Sequence, residues 1–550
     1  MENQSWLQKI ASYIDYIENV KVSDLLKKAS SSIQSTKGFQ TIQKFNNLPD
    51  VKASKKILLF LWIGTSPLIL FINYWRRRNI PQNTYSYGKA EWETPKEIPE
   101  VGIRLGLTED ERLYRYAGNR HIVTIASARS GKGTSSIIPN LLELENCSCI
   151  VIDPKGENAL NTALYREKIL GRNVQVLDPF NESGIGNAYF NPLNFISEKN
   201  LTASCEQLAE ALIIPDPKDP FWSNTATSLL SAVIYYFYKS DKFNPSEKNL
   251  VTIYDKLLID RDNFFEEMNK EENPPIVRHA IAEILGGDER LKSDVYTTIR
   301  SNLARFLNDE KIRDNLTYST FSKDDLIQGK LDIYIVLPLD KLETYSRWLR
   351  LILVSFLQNL IKQNTYEEED ISLLPKIFFM DEFGNLGHLK ILENAFTTSS
   401  GFGVLLWPFI QNLEQLKKDY PHSWQTILGQ AGVIEAFNVG TDINTGEYIS
   451  KTIGNTTIIE RTSSQNSNSD GKSSSGSGWR EVGVPLIKPE EVIKFYDFAK
   501  ILIPQGKNPC FVGKIPYYND PELSKRWVTS LAHAIHKNYN VPQNLDRHLK

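Results

Sequence analysis

Residues 126–134, ASARSGKGT, begin at the last residue of the apolar run 122–126 and precede a stretch with a helical pattern. This placement is typical of a phosphate-binding loop, because a glycine-rich turn at a helix N-terminus directs backbone N–H groups toward anions. Lys132 is the lysine that such a loop uses to reach the β- and γ-phosphates. Two residues depart from the pattern G-x-x-x-x-G-K-[ST]. Ala126 replaces the first glycine and Gly133 replaces the hydroxyl residue, so a glycine-rich turn without this role is the alternative.

The loop supplies most of the candidate cofactor-binding residues. With Gly133 after the lysine, the hydroxyl that would bind Mg²⁺ is displaced to Thr134. The expected cofactors are ATP and Mg²⁺. The candidate nucleotide-binding residues are Ala128, Arg129, Ser130, Gly131, Lys132, Gly133 and Thr134.

A second motif, KIFFMDE at residues 376–382, has the form of a buried strand that ends in two carboxylates. In this position Asp381 is the candidate ligand of the Mg²⁺ shell, and Glu382 is the candidate base that orients the attacking water. A solvated strand end is the alternative. Gln411 follows the next predicted strand, 403–407, and is the candidate γ-phosphate sensor.

Short apolar runs alternate with helical stretches, as in an α/β domain with a mainly parallel sheet. A hairpin is predicted over 499–518. The helical patterns 222–238 and 293–307 dominate the stretch from about 200 to 320, which predicts an all-α insertion. The predicted strands are 122–126, 149–153, 174–177, 333–337, 377–380 and 403–407.

Residues 57–75 hold no charged side chain over 19 positions, which is enough for a helix to cross a bilayer. Three arginines, Arg76 to Arg78, follow at once and favour a cytoplasmic C-terminal side, although three lysines precede the segment. The nucleotide motif lies downstream and needs cytosolic ATP. The sequence therefore predicts a single-pass membrane anchor with the nucleotide motif on the cytoplasmic side, and a buried core helix is the alternative.

The bulk composition excludes several classes of protein. The chain has 550 residues, which predicts two or more domains. A net charge of −3 argues against a strongly basic nucleic-acid binder, so contacts with DNA would come from local patches or an assembled channel. The four cysteines have no zinc-site spacing and are expected to be reduced core residues.

The predicted domain boundaries follow from these patterns. Residues 463–478, SSQNSNSDGKSSSGSG, form a low-complexity stretch that we interpret as a mobile loop of the second motor part. The predicted regions are an amphipathic segment (1–56), a transmembrane helix (57–75), the first motor part (76–198), the all-α insertion (199–325) and the second motor part (326–550).

The two motifs stand 250 residues apart (381 − 131), and this combination resembles the type IV secretion coupling proteins of the TraG/TraD family. The resemblance covers the chain from residue 87 to about residue 527. Its matching segments are YGKAEW (87–92), ASARSGKG (126–133), DPKGE (153–157), DPFW (219–222), DEFGNLG (381–387), Thr441-Asp442 and YIS (448–450). A loop that begins with alanine and ends in Gly-Lys-Gly is similar to the form common in this family.

The resemblance implies a RecA-like P-loop motor domain with an inserted all-α domain and an N-terminal transmembrane anchor. It implies a homo-hexamer that is anchored in the bacterial inner membrane with its motor domain in the cytoplasm. This hexamer would deliver relaxase-bound single-stranded DNA, or protein, to the inner-membrane components of a type IV secretion channel. Family members often carry two transmembrane helices, whereas one is found here. They also place an arginine finger where this chain has Ser400, which leaves Arg347 and Arg350 either as substitutes or as ordinary helix-surface charges.

Two other functions remain open at this point. One is a nucleotide-binding receptor for secreted proteins without robust hydrolysis, and the other is a duplex-DNA pump of the FtsK/HerA type. Nucleotide turnover distinguishes the receptor from both motors, and preference for single-stranded DNA distinguishes the two motors. Asp153 and Lys155 either contact nucleotide or neighbouring subunits, or form a turn with a satisfied carboxylate.

Overall fold

The structure is a computed structural model that describes residues 84–215, 219–361, 375–467 and 473–536. The predicted amphipathic segment 1–56 and the predicted transmembrane helix 57–75 lie outside these residues. Within them, no helix combines the length and the apolar character needed to span a membrane.

Thirteen strands lie in the described residues, eleven of them in one sheet and two in a separate ribbon. The sheet strands are β1 (Ile103–Leu107), β2 (Leu113–Tyr116), β3 (His121–Ile125), β4 (Ser148–Ile152), β5 (Asn173–Leu177), β6 (Leu331–Ile335), β7 (Lys376–Met380), β8 (Val404–Ile410), β9 (Ala431–Ala436), β12 (Ala499–Pro504) and β13 (Cys510–Gly513). The ribbon strands are β10 (Asn455–Ser467) and β11 (Ser473–Pro485).

The helices of the described residues fall into those between β5 and β6 and those elsewhere in the chain. The helices elsewhere are α1 (Ile138–Glu143), α2 (Glu157–Lys168), α11 (Leu342–Ile361), α12 (Lys390–Thr398), α13 (Leu413–Asp419), α14 (Trp424–Gly429), α15 (Ile443–Ile453), α16 (Pro489–Ile493) and α17 (Leu523–His536). Those between β5 and β6 are α3 (Leu201–Leu212), α4 (Pro220–Lys239), α5 (Leu250–Ile259), α6 (Arg261–Met268), α7 (Pro275–Gly286), α8 (Glu289–Leu307), α9 (Glu310–Asn315) and α10 (Lys323–Ile327).

The sheet has the order β2-β1-β13-β12-β9-β3-β8-β7-β4-β6-β5. The strands from β9 to β5 run parallel, and the other four complete the sheet through antiparallel pairs. Every residue of β3, β4, β7 and β8 is buried, which explains why apolar residues dominate these strands in the sequence. The six predicted strands are all present, and the carboxyl ends of β3, β8 and β7 meet at one edge of the sheet.

The stretch between β5 and β6 contains only helical elements and turns in its described residues. Four of these helices begin at a side chain that accepts a hydrogen bond from the first turn, the usual way to satisfy orphan N–H groups. The capping residues are Asn249, Asp288, Asp309 and Ser322. The polar residues before each apolar pattern therefore set the helix boundaries.

Residues 84–92 and 448–488 belong to a compact unit of their own, whereas the predicted boundaries assign 448–488 to the motor domain. Its strands β10 and β11 pair antiparallel from Asn455 opposite Pro485 to Ser467 opposite Ser473. Part of the serine-rich stretch 463–478, predicted as a mobile loop, is thus paired strand. The pattern did not reveal this pairing, because an isolated ribbon is held by backbone hydrogen bonds and needs no apolar alternation.

Candidate nucleotide-binding site

The loop after β3 turns sharply. A short π-helical turn, Gly133–Ile137, then leads into α1. Arg129 and Gly131 adopt positive φ angles of 61° and 89°, which reverse the chain. The loop is fixed at its start because the backbone N–H and the hydroxyl of Ser127 both donate to the Asn438 carbonyl, at 3.2 and 2.7 Å. Sequence and backbone thus agree on a tight glycine-containing turn at a helix N-terminus.

The loop carries polar groups that suit an anion. The Ser130 hydroxyl is buried and has no hydrogen-bond partner in the described part of the chain. The Gly131 carbonyl accepts from the Ser135 N–H at 3.0 Å and from the Thr134 hydroxyl at 3.2 Å, which draws the carbonyl toward the helix. A helix N-terminus with an orphan hydroxyl is a fitting environment for phosphate oxygens.

The two sequence motifs meet at Lys132. Its ammonium lies 3.0 Å from Asp381 Oδ1 and 2.7 Å from Glu382 Oε1. Only one strand, β8, separates β3 from β7, and their carboxyl ends share one edge of the sheet. Glu382 itself has a positive φ of 55°, a strained conformation for a residue with a side chain. The topology therefore brings together residues that stand 250 positions apart.

The three charges shift one another's pKa values. Burial disfavours the Lys132 ammonium, but the two carboxylates outweigh it and raise the pKa. Burial raises the pKa of Asp381, and Lys132 offsets only part of this effect. Burial acts in the same direction on Glu382, yet the Lys132 and Gln411 hydrogen bonds prevail and lower its pKa. Glu382 is thus kept ionised, which its predicted role as a base requires.

Gln411 lies directly after β8, between the two motif strands. Its carboxamide nitrogen donates to Glu382 Oε2 at 2.9 Å, and its backbone N–H donates to Gln415 Oε1 at 2.9 Å. Gln411 therefore contacts the oxygen of Glu382 that Lys132 does not hold.

Asp153 is a further acidic group at this edge, at the end of β4. It is buried, and its carboxylate accepts from the Ala159 N–H at 2.8 Å and from the Asn158 carboxamide at 3.2 Å. Burial raises its pKa to about 7, the Ala159 hydrogen bond opposes the rise, and the charge of Asp381 adds to it. Groups at the start of α2 thus donate the hydrogen bonds that the carboxylate needs. This agrees with the alternative that these residues form a turn with a satisfied carboxylate.

Arg347 and Arg350 are buried, so the interpretation of these arginines as helix-surface charges is wrong. Both donate to carbonyls at the end of α3, and Arg350 also donates to the His388 carbonyl at 2.6 Å. Burial and the charges of Arg305 and Arg350 lower the pKa of Arg347 to about 10. These contacts arise because the last carbonyls of a helix lack intrahelical donors. Ser400 lies in a 3₁₀ turn, Ser399–Phe402, before β8.

A cleft of about 1930 Å³ opens beside the loop. Its lining includes Lys132, Lys155, Glu382 and Gln411 together with residues of α3, α4 and α11. The cleft provides room for a nucleotide against the loop and extends to the helices inserted between β5 and β6.

The donor set fits a magnesium ion that is shared with a nucleotide. No group of three or more His, Cys, Asp or Glu side chains with metal-binding geometry occurs among the described residues. Mg²⁺ usually takes one or two protein oxygens and completes its octahedron with water and phosphate. Asp381 and the Thr134 hydroxyl, the ligands that the sequence predicts, would make up an incomplete set of this kind.

One contact was missed by sequence reasoning. The ammonium of Lys514, which follows β13, donates to the Ser130 carbonyl at 2.8 Å. No motif marks this lysine, and 384 positions separate it from the loop.

Comparison with known proteins gives one consistent family. The family profile described as "Type IV secretory system Conjugative DNA transfer" matches residues 86–541. The chain is 25% identical to the conjugal transfer protein TraG of Escherichia coli over 507 residues, which cover 81% of this chain and 78% of TraG. It is also 25% identical to the type IV secretion system-coupling protein VirD4 of Bartonella quintana, over 74% of this chain and 64% of VirD4.

Solved structures share the fold. The conjugative coupling protein TrwB without its first 70 residues aligns with a TM-score of 0.58 at 15% identity, over 78% of this chain and 96% of that chain. TrwB in complex with ADP and Mg²⁺ aligns with a TM-score of 0.57 at 14% identity, over 80% of this chain and 97% of that chain. The fold is therefore that of the TrwB-like nucleotide-binding motors. With its P-loop and strand-end carboxylates in contact, the chain belongs to the type IV secretory system conjugative DNA transfer family, and it is a coupling protein of the TraG/TraD kind.

Proposed function

We propose that the protein is an ATPase that couples hydrolysis to the delivery of single-stranded conjugative DNA, and also of protein, to a type IV secretion channel. The observation that carries the proposal is the meeting of Lys132 with Asp381 and Glu382 at a helix N-terminus. The TrwB complexes with ADPNP and with ADP and Mg²⁺ support ATP and Mg²⁺ as the cofactors.

Each residue of the site has a proposed role. The loop residues 128–134 bind the phosphates, with Lys132 on the β- and γ-phosphates. Asp381 and Thr134 would hold the magnesium ion, which would supply charge neutralisation when bound. Glu382 orients and deprotonates the attacking water, and Gln411 senses the γ-phosphate through the carboxylate it contacts.

The contact between Lys132 and Glu382 allows the Lys132 ammonium to exchange the carboxylate for the γ-phosphate when nucleotide binds. A γ-phosphate at the loop attracts the same ammonium that now contacts Glu382 Oε1. When the ammonium turns to the phosphate, Glu382 Oε1 is free to accept a proton from water. Gln411 still holds the other oxygen, so the carboxylate keeps its orientation.

The proposed setting follows the family. A homo-hexamer is proposed to surround the substrate, with residues 57–75 as a membrane anchor, the motor in the cytoplasm, and inner-membrane secretion components and relaxase-bound DNA as partners. The receptor without robust hydrolysis is the second candidate, because Ser400 occupies the position of the expected arginine finger.

DNA transfer from donor cells tests the proposal. Replacing the gene by one encoding Lys132→Ala should lower the transfer frequency at least about a hundredfold, because the phosphate contact is lost. Lys168→Ala, in an exposed pair with Glu167, is the matched control and should leave transfer unchanged. Normal transfer with equal amounts of the Lys132→Ala protein would exclude an ATP-driven role for this site.

A further inference from the structure

The segment that follows β13 contacts the phosphate-binding loop at two points. The Lys514 ammonium donates to the Ser130 carbonyl at 2.8 Å, and the Tyr517 N–H donates to the Thr134 carbonyl at 3.0 Å. The backbone of Lys514 is itself held, because its N–H donates to the Phe498 carbonyl at 2.8 Å. A lysine on a fixed backbone thus reaches the turn of the loop.

The contact determines the orientation of one peptide group. In a trans peptide the carbonyl and the following N–H point in opposite directions. Because Lys514 draws the Ser130 carbonyl to one side, the Gly131 N–H must point to the other. Among the described residues, this N–H donates to no backbone or side-chain acceptor. Gly131 has a φ of 89°, so the free N–H belongs to the reversed turn of the loop.

The surroundings of Lys514 make its charge sensitive to pH. The ammonium lies 5.1 Å from the centre of the Phe437 ring, and Lys500 lies 4.9 Å from the same ring. Burial lowers the pKa of Lys514 to about 8; the charge of Lys500 acts in the same direction, and Asp497 and Glu435 oppose it. The charge is therefore present at neutral pH and lost in mildly alkaline solution.

We propose that Lys514 is a positioning residue of the nucleotide site, which presents the Gly131 N–H to the nucleotide phosphates by holding the Ser130 carbonyl. The inference rests on the proposed ATPase function and assigns a residue that no motif of the site includes. Lys514 acts through the loop and does not contact the reacting atoms.

The test compares ATP binding by the full chain and three variants. Lys514→Met removes the ammonium, and Lys514→Arg keeps a charged donor. Lys376→Met is the matched control, because Lys376 is also buried with a pKa lowered to about 8 but lies at the opposite end of β7 from the site. Affinity is measured with a fluorescent ATP analogue and Mg²⁺, kcat and KM by turnover, and folding by thermal unfolding.

Lys514→Met should weaken ATP binding about tenfold or more, since hydrogen bonds from charged donors have effects of this size. KM should rise with it, and kcat should change less. Lys514→Arg should stay within about threefold of the wild type, and Lys376→Met should equal the wild type. A Lys514→Met protein that binds ATP as tightly as the wild type would overturn the inference.

The pH dependence separates positioning from a merely structural role. Between about pH 6.5 and about pH 9.5 the wild-type affinity should fall toward that of Lys514→Met, while Lys514→Arg should lose less because arginine stays charged. Titration of the nucleotide is common to all variants and cancels in the comparison. Equal losses in both Lys514 variants, with lowered thermal stability, would refute positioning. A wild type that binds no ATP would instead refute the proposed function.

Discussion

Glu382 divides its carboxylate between two donors, Lys132 on Oε1 and Gln411 on Oε2. In the proposed cycle only the Lys132 ammonium leaves Glu382, because only a positive charge is attracted to an arriving phosphate. The carboxamide is neutral and remains with the carboxylate. At the scale of single residues, we therefore propose that the Lys132 contact serves nucleotide binding and that the Gln411 contact orients the base.

Gln411→Ala should lower kcat about tenfold or more and leave KM within about twofold, because a hydrogen bond to a charged group is lost while the phosphate contacts remain. Steady-state turnover measures both constants. Gln425→Ala, at an exposed position on α14, is the control and should match the wild type. A raised KM at unchanged kcat would mean that Gln411 binds nucleotide and does not orient Glu382.

Asp153 should make the protein less stable as the pH rises from about 4 to about 7. Its folded-state pKa of about 7 exceeds the ordinary 3.8, so the folded protein keeps a proton that the unfolded chain has lost. The contribution of Asp153 to stability is thus complete below about pH 4 and disappears above about pH 7. Asp153→Asn should flatten this part of the profile of melting temperature against pH. A constant difference between the two proteins across that range would contradict the prediction.

The sequence predicted the site residues that belong to motifs, and the structure brings Lys132, Asp381, Glu382 and Gln411 together. Asp381, Glu382 and Gln411 could be found because they follow apolar runs that form parallel strands, and Lys132 because it lies in a glycine-rich loop after such a strand. Lys514 could not be found, because its contact depends on how the β12–β13 hairpin returns to the loop. Tertiary contacts of this kind leave no local pattern.

At the scale of elements, five of the six predicted strands, β3, β4, β6, β7 and β8, have every residue buried, and β5 at the edge of the sheet is the exception. The strands that were not predicted, including β1, β2 and β9, carry glycine or charged residues among their apolar ones, such as IRLGL in β1 and LYRY in β2. β2 lies at the antiparallel edge of the sheet, where one apolar face is enough, whereas β9 is fully buried between β12 and β3. A charged residue interrupts the apolar pattern in each of these two strands, so only the sheet assigns them.

Arg350 joins three elements, since it extends from α11 to the end of α3 and to the segment before α12. Arg350→Met should speed amide hydrogen exchange near residues 209–213 and 386–389 about thirtyfold, because about 2 kcal/mol of charged hydrogen bonding is lost. Arg290→Met on α8 is the control, since its side chain is 85% exposed and forms a surface ion pair with Asp294. Amide hydrogen exchange that is equally slow in both variants would show that Arg350 does not hold these three elements together.

At the scale of the whole molecule, the distance between the motifs was the strongest indication of architecture. Residues 131 and 381 contact the same site, and helices fill most of the chain between β5 and β6. The spacing alone could predict an insertion, because a compact ATPase core does not need 250 residues between its motifs. It could not predict that 448–488 form a separate unit with 84–92, since that depends on pairing within the ribbon and with the segment before the sheet.

The proposed hexamer predicts that assembly depends on nucleotide. Glu382→Gln should bind ATP without turning it over and should therefore sediment as a six-subunit species with ATP and Mg²⁺. Lys132→Ala, which loses the phosphate contact, should remain smaller under the same conditions. Analytical ultracentrifugation in detergent measures both. A Glu382→Gln protein that binds ATP and stays monomeric would contradict the hexamer.

The most direct measurement of the central claim is steady-state ATP hydrolysis by the full chain, with and without single-stranded DNA, beside Lys132→Ala and Glu382→Gln. The account predicts turnover that single-stranded DNA stimulates more than duplex DNA, and that each substitution lowers about a hundredfold or more. ATP binding without turnover under every condition would contradict it and favour the receptor, and greater stimulation by duplex DNA would favour the duplex pump.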